Sequence, residues 1–141
     1  MARVNLLLTG ADANLAALRL TSPKDDNAVD KYRQVLVLDN DNAQANAGLN
    51  NVVERYIALA DEASAAGDFD KAGAFLDRAA FVVPDAANLQ LARAGLDEAQ
   101  QQYVLDLKLK AAEAVKLAEI DNKAKETARA EREAKEREER V

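Results

Sequence analysis

The 141-residue chain contains no cysteine, no histidine and no tryptophan. The first two absences together remove disulfide frameworks, thiol nucleophiles, histidine acid–base catalysis and the usual zinc sites. A chain free of cysteine is at home in cytosol and periplasm alike, so the compartment stays open: the cytoplasm is slightly favoured, and the periplasm is possible if the chain is cut from a longer one. With only five Gly and two Pro, the turns of an all-β fold cannot be made. No apolar run approaches the roughly 20 residues of a membrane span. The N-terminal Leu6-Leu7-Leu8 run is interrupted by Asn5, Thr9 and Asp12, too early for a signal peptide, and reads as the start of an amphipathic helix.

What is present is alanine, leucine and charge. Hydrophobic residues make up 49% of the chain, but Ala dominates that share, and Ala is the best helix former and a poor core filler. An all-α fold follows. The net charge of −6 is unevenly spread. Residues 1–105 hold nine Lys/Arg against fifteen Asp/Glu, and residues 106–141 hold ten of each. An acidic first region and a balanced polyampholyte offer no basic stripe for nucleic acid.

Two segments read alike at an offset of 44 residues. Ala28 matches Ala72, Tyr32 matches Leu76, Val35 matches Ala79, Leu38 matches Val82, and Asn40 sits where Pro84 does. Apolar residues recur in both at helical spacing, and each stretch ends at a turn signal. Each is preceded by a partner helix, Asn14–Leu20 before a Thr21–Asp26 loop and Tyr56–Ala66 before Gly67-Asp68-Phe69-Asp70. Gly67 suits a left-handed helix C-terminus, and Asp68 or Asp70 can cap the next helix. The result is a string of antiparallel helix hairpins.

Gly67-Asp68-Phe69-Asp70-Lys71-Ala72, with Phe75, Leu76, Ala79 and Pro84, resembles the second half of a tetratricopeptide repeat. Tyr56, Leu59 and Ala60 fall on that family's large–large–small positions. One copy, about 56–86, is a good match, and a degenerate copy covers about 10–42, with Asp12 at the usual aromatic position and Pro23 at the turn glycine. The surplus over a 34-residue repeat reads as extra turns ahead of Tyr56, weakened mildly by Gly48. More distantly, the block resembles a module beside bacterial serine/threonine kinase and formylglycine-generating-enzyme-like domains, which implies a piece of a larger bacterial-type protein.

Beyond Pro84, Asp85 can cap a helix from Ala86 onward, with Gly95 its one soft spot. Its inner stripe is Leu89, Ala92, Leu96 and Ala99. The expected division is a hairpin domain over 1–102 and an extended helix over 103–141, apolar through 120 and charged from 121. A strand over Leu105–Leu109 is the weaker alternative to helix there. Leu96, Tyr103, Leu107, Ala114 and Ala118 are spaced 7, 4, 7 and 4 apart, the rhythm of a nearly straight coil. With Val104 and Ala111 they make the candidate self-association surface. Acid-then-base pairs four apart (Glu119/Lys123, Asp121/Lys125, Glu131/Lys135, Glu133/Arg137, Glu136/Arg140) support the charged end.

No residue set suggests catalysis. Asp39-Asn40-Asp41-Asn42 resembles the start of a calcium loop, but Ala43, Gln44 and Asn50 occupy positions where ligand, glycine and glutamate are required. A capping turn is expected instead. Asp61/Glu62 and Asp97/Glu98 are adjacent on a helix and diverge by about 100°. Ser22 and Ser64 have no histidine to activate them, and no cofactor site is expected.

The resemblance implies a concave groove presenting Glu54, Ile57, Asp61 and Ser64, with Leu91 and Glu98 from the following helix. Carboxylate-clamping members of the family place Lys, Arg and Asn there, and this chain places acids, so a basic or apolar protein segment is the expected ligand. About three repeats normally make a continuous core. A shorter array with an apolar Tyr103–Leu109 stretch is expected to form a homodimer. The expected function is non-catalytic interaction or scaffolding; the alternative is a stalk that self-associates through the long helix.

Overall fold

The computed structural model describes all of residues 1–141. The chain is all-helical: α1 (Ala2–Ala16), α2 (Ala28–Leu38), α3 (Ala43–Ala65), α4 (Phe69–Val82) and α5 (Ala87–Glu139). α1 pairs with α2 and α3 with α4, and α2 packs on α3 to join the two hairpins. Residues 1–100 form one compact unit and residues 101–141 a second.

Local chemistry sets the helix ends. The side chains of Asn27, Asn42 and Asp68 accept hydrogen bonds from the amides of Asp30, Ala45 and Lys71, at 2.9, 2.9 and 3.1 Å. Each satisfies a donor that the first helical turn leaves open. The expected capping turn at Asp39–Asn42 is thus made by Asn42, which also donates to Asp39. Asp70 sits in the first turn of α4, where its charge complements the helix dipole. At α5 the Ala86 carbonyl accepts from Leu89 and Gln90. The cap position is therefore Ala86, one residue later than the expected Asp85.

Both hairpins turn by the same device. At the end of α3, the Gly67 amide donates to Ser64 O and the Asp68 amide to Ala63 O, with Gly67 at φ 80°. At the end of α1, the Leu18 amide donates to Leu15 O and the Arg19 amide to Asn14 O, with Leu18 at φ 61°. These are two Schellman turns, and they stand 49 residues apart, against 44 for the buried alanines Ala28 and Ala72. The residue equivalent to Gly67 is therefore Leu18, not Pro23, and α1 ends at Ala16 instead of running to Leu20. The first hairpin absorbs five more residues between its turn and its second helix. That longer loop is held down by buried Leu20, by Asn27 donating to Pro23 O at 3.0 Å, and by a 2.6 Å bond between the hydroxyls of Thr21 and Tyr56.

One core runs through the first unit. Ala28, Tyr32 and Val35 of α2 and their counterparts Ala72, Leu76 and Ala79 of α4 are all buried. The fourth matched pair diverges: Val82 is buried, whereas Leu38 lines a shallow surface hollow with Arg3, Gln34 and Val37. α3 is long, as the surplus residues ahead of Tyr56 require, and buries Leu49, Val52, Val53 and Tyr56. Gly48 is no mere weakness in it. A methyl built there would meet the Tyr32 ring at 2.3 Å, so the ring needs the missing side chain. Asp12, at the expected aromatic position, accepts from the Tyr32 hydroxyl at 2.5 Å. Arg33 ties α2 to the end of α4, donating to Phe81 O at 2.9 Å with its guanidinium 4.9 Å from the Phe81 ring centre.

α5 is continuous through Gly95 and through Leu105–Leu109, so that stretch is helix and not strand. Of the five expected acid–base pairs in its charged end, Asp121–Lys125 forms, at 3.0 Å. Glu133 pairs backward with Arg129 at 3.3 Å instead of forward with Arg137. All residues from 101 to 141 are exposed. No helix is long and apolar enough to cross a membrane.

Candidate interaction groove

α5 meets the hairpins through its first turns. Leu89 is buried, Ala92 and Leu96 are partly buried against the core, and Arg93 pairs with Asp77 of α4 at 3.0 Å. This is the inner stripe read from the sequence. It leaves a groove of about 350 Å³ between α3, α4 and α5. The α3 wall is Ala60, Asp61, Ser64 and Ala65, the floor is Leu76, and the α5 wall is Ala92, Gly95, Leu96 and Ala99. Six of the nine lining residues are Ala, Ser or Gly, so the walls present mostly backbone and methyl groups, a surface that another helix or extended segment can approach closely. Asp61 is the one charged lining residue.

Two of the six expected groove residues, Asp61 and Ser64, line this groove. Glu54 is exposed elsewhere on α3, and Ile57 is partly buried against the core. Leu91, 76% exposed, and Glu98 are not on the groove wall. Helical geometry gives the reason: two residues turn the helix by about 200°, so burying Leu89 points Leu91 away. Three of the four α5 wall residues, Ala92, Leu96 and Ala99, belong to the stripe read from the sequence, and the missing signal was which face of α5 would stay open beside it.

The candidate self-association surface is divided. Leu96 packs against the hairpin core and lines the groove. The hairpins draw it in because α3 offers the small Ala60, Ser64 and Ala65 beside it. Tyr103, Val104, Leu107, Ala111, Ala114 and Ala118 are all exposed in the second unit.

A second hollow, about 380 Å³, is bounded by Leu20, Thr21, Tyr56, Phe75 and Arg78 among others. Three of its polar side chains are engaged within the chain: Thr21 with Tyr56 at 2.6 Å, and Arg78 over the Phe75 ring at 5.7 Å. The groove along α5 has no such internal occupants.

Two ionisable groups near the first hairpin are shifted. Burial and the hydrogen bond to Asp12 hold the Tyr32 phenol well above its ordinary value of 10. Hydrogen bonds from Lys31 and Asn14 hold the exposed Asp26 carboxyl below its ordinary value of 3.8. Neither lies in the groove. No group of three or more acidic side chains is placed to hold a metal ion.

No family model matches the chain, and no curated protein or solved structure is significantly similar to it.

Proposed function

We propose that the chain is a non-catalytic protein-interaction module, a tetratricopeptide-like pair of helix hairpins from a larger bacterial-type protein. The observation that carries this reading is the small-residue groove between α3, α4 and the first turns of α5. Asp61 on its wall, within a region holding fifteen acids against nine bases, favours a segment that is apolar with a basic edge.

A titration tests it. An amphipathic helical peptide of Ala, Leu and Lys is the probe, followed by calorimetry against the full chain and against Gly95→Leu, which places a side chain in the groove where a Cβ meets nothing within 4 Å. Saturable binding that Gly95→Leu weakens at least tenfold supports the reading. Equal binding by both proteins, or none by either, contradicts it.

A second reading has its own observation. Val104, Leu107, Val115, Leu117 and Ile120 are between 45 and 67% exposed, more apolar surface than an isolated helix normally presents to water. This favours a structural role in which the module self-associates through the later part of α5.

A further inference from the structure

The hollow of about 380 Å³ beside the loop after α1 differs in chemistry from the groove along α5. The loop lines it with Leu20, Thr21 and Ser22, α3 with Tyr56, and α4 with Phe75 and Arg78. Its volume falls in the range of small-molecule sites. Every polar side chain on its wall can donate a hydrogen bond and none is an acid. That runs against the composition of the region, where residues 1–105 hold fifteen Asp/Glu against nine Lys/Arg.

The contacts already made inside the chain leave donors over. Arg78 lies over the Phe75 ring at 5.7 Å but has no ion pair and no hydrogen bond, so its N–H groups are open. The 2.6 Å bond between Thr21 and Tyr56 uses one of two hydroxyl protons and leaves the other. The exposed Ser22 hydroxyl bonds to nothing. The backbone adds to this. The carbonyls of Arg19 and Leu20 accept from the amides of Ala28 and Val29, at 2.8 and 3.0 Å. N–H and C=O point opposite ways across a trans peptide, so the amides of Leu20 and Thr21 face away from α2. Neither has an acceptor, and α2 lines no part of the hollow. Beside these donors lies apolar surface: Leu20 is buried, and the rings of Tyr56 and Phe75 stand 6.3 Å apart.

Donors without an acid, set beside apolar surface, match an anion that carries an apolar body. One guanidinium balances one unit of charge, and its planar fork fits a carboxylate. We propose that this hollow binds a small monocarboxylate with an aromatic or aliphatic body. Its carboxylate pairs with Arg78, and its body lies against Leu20 and Phe75. The hollow shares no lining residue with the groove along α5, so the site stands whether or not that groove receives a protein segment.

Phenylacetate is the probe, titrated into the isotopically labelled full-length chain and followed by backbone chemical shifts. Phenylacetamide and inorganic phosphate are the comparison ligands, and Arg78→Gln is the variant. Arg78 is exposed, so the change leaves the core untouched. The expected result is saturable shifts at Leu20, Thr21, Ser22, Phe75 and Arg78, half-maximal at about 1 mM. Phenylacetamide and phosphate should each bind about tenfold more weakly, and so should phenylacetate to Arg78→Gln. Phenylacetamide binding as well as phenylacetate overturns the need for charge. Phosphate binding as well as phenylacetate overturns the carboxylate class. Unchanged binding by Arg78→Gln overturns the role of Arg78. Shifts confined to other residues, or none that saturate by about 10 mM, overturn the site itself.

Discussion

The ring of Tyr32 lies against the α-carbon of Gly48, so close that a β-carbon on residue 48 would fall 2.3 Å from Cζ. The same side chain reaches α1 through its hydroxyl, which donates to Asp12. Tyr32 therefore joins three helices, and the first hairpin is attached to α3 across a gap only glycine leaves open. Gly48→Ala improves helix propensity by about 1 kcal/mol, but the clash with a fully buried ring is worth more, and a net loss of about 1–3 kcal/mol is expected. Gly73, whose Cβ would meet nothing within 4 Å, gives the opposite sign: Gly73→Ala should gain about 1 kcal/mol. Urea unfolding of both variants checks the contrast, and Tyr32→Leu should reduce the cost of Gly48→Ala in a double-mutant cycle.

The two Schellman turns make a second opposed pair. Leu18 adopts φ 61° where its counterpart Gly67 adopts φ 80°. A left-handed conformation costs a side-chain-bearing residue about 1–2 kcal/mol. Leu18→Gly should therefore stabilise the fold by about 0.5 kcal/mol after the loss of leucine contacts, and Gly67→Leu should destabilise it by about 1–2 kcal/mol. Urea midpoints that shift in the same direction would refute the equivalence of the two turns.

Alkaline pH should unfold the chain through Tyr32. The folded state keeps this phenol protonated above its ordinary value of 10, whereas the unfolded chain ionises near that value. The unfolded state then binds fewer protons, so stability is fully present below pH 10 and falls as pH rises above it. Tyr32→Phe should be modestly less stable at neutral pH, by about 1 kcal/mol for the lost hydrogen bond, and should lose less stability on going to alkaline pH. Circular dichroism melts across pH 8–11 check both parts.

Truncation separates the two units. Every buried residue lies at or before Leu89, and the partly buried Ala92 and Leu96 follow within two turns. A chain ending at Gln102 should keep a melting temperature within a few degrees of the full chain under conditions where both are monomers. A chain ending at Val83 uncovers the core that Leu89 fills, and a loss of about 2–5 kcal/mol is expected.

What could be read from sequence followed from period and punctuation. The α2 and α4 stripes were visible because Ala28/Tyr32/Val35 and Ala72/Leu76/Ala79 repeat at helical spacing, and Gly67, Asp68 and Pro84 mark the second hairpin with residues whose chemistry fits turns and caps. The first hairpin was harder because a leucine does the work of the turn glycine, which moved the expected reversal from Leu18 to Pro23. The place of Gly48 depends on a ring from another helix and has no local signature. In the groove, Asp61 and Ser64 were found from the α3 pattern. Leu91 and Glu98 were misplaced because the rotation of α5 is decided by burial of Leu89, a tertiary fact.

Whether the α3–α5 groove receives a protein segment, as proposed, is read from a backbone chemical-shift map of the isotopically labelled chain titrated with the Ala/Leu/Lys helical peptide. Saturable shifts are expected at Ala60–Ala65, Leu76 and Ala92–Ala99, with the first hairpin and residues 121–141 unmoved. Shifts confined to residues 104–118, or none that saturate, would contradict it.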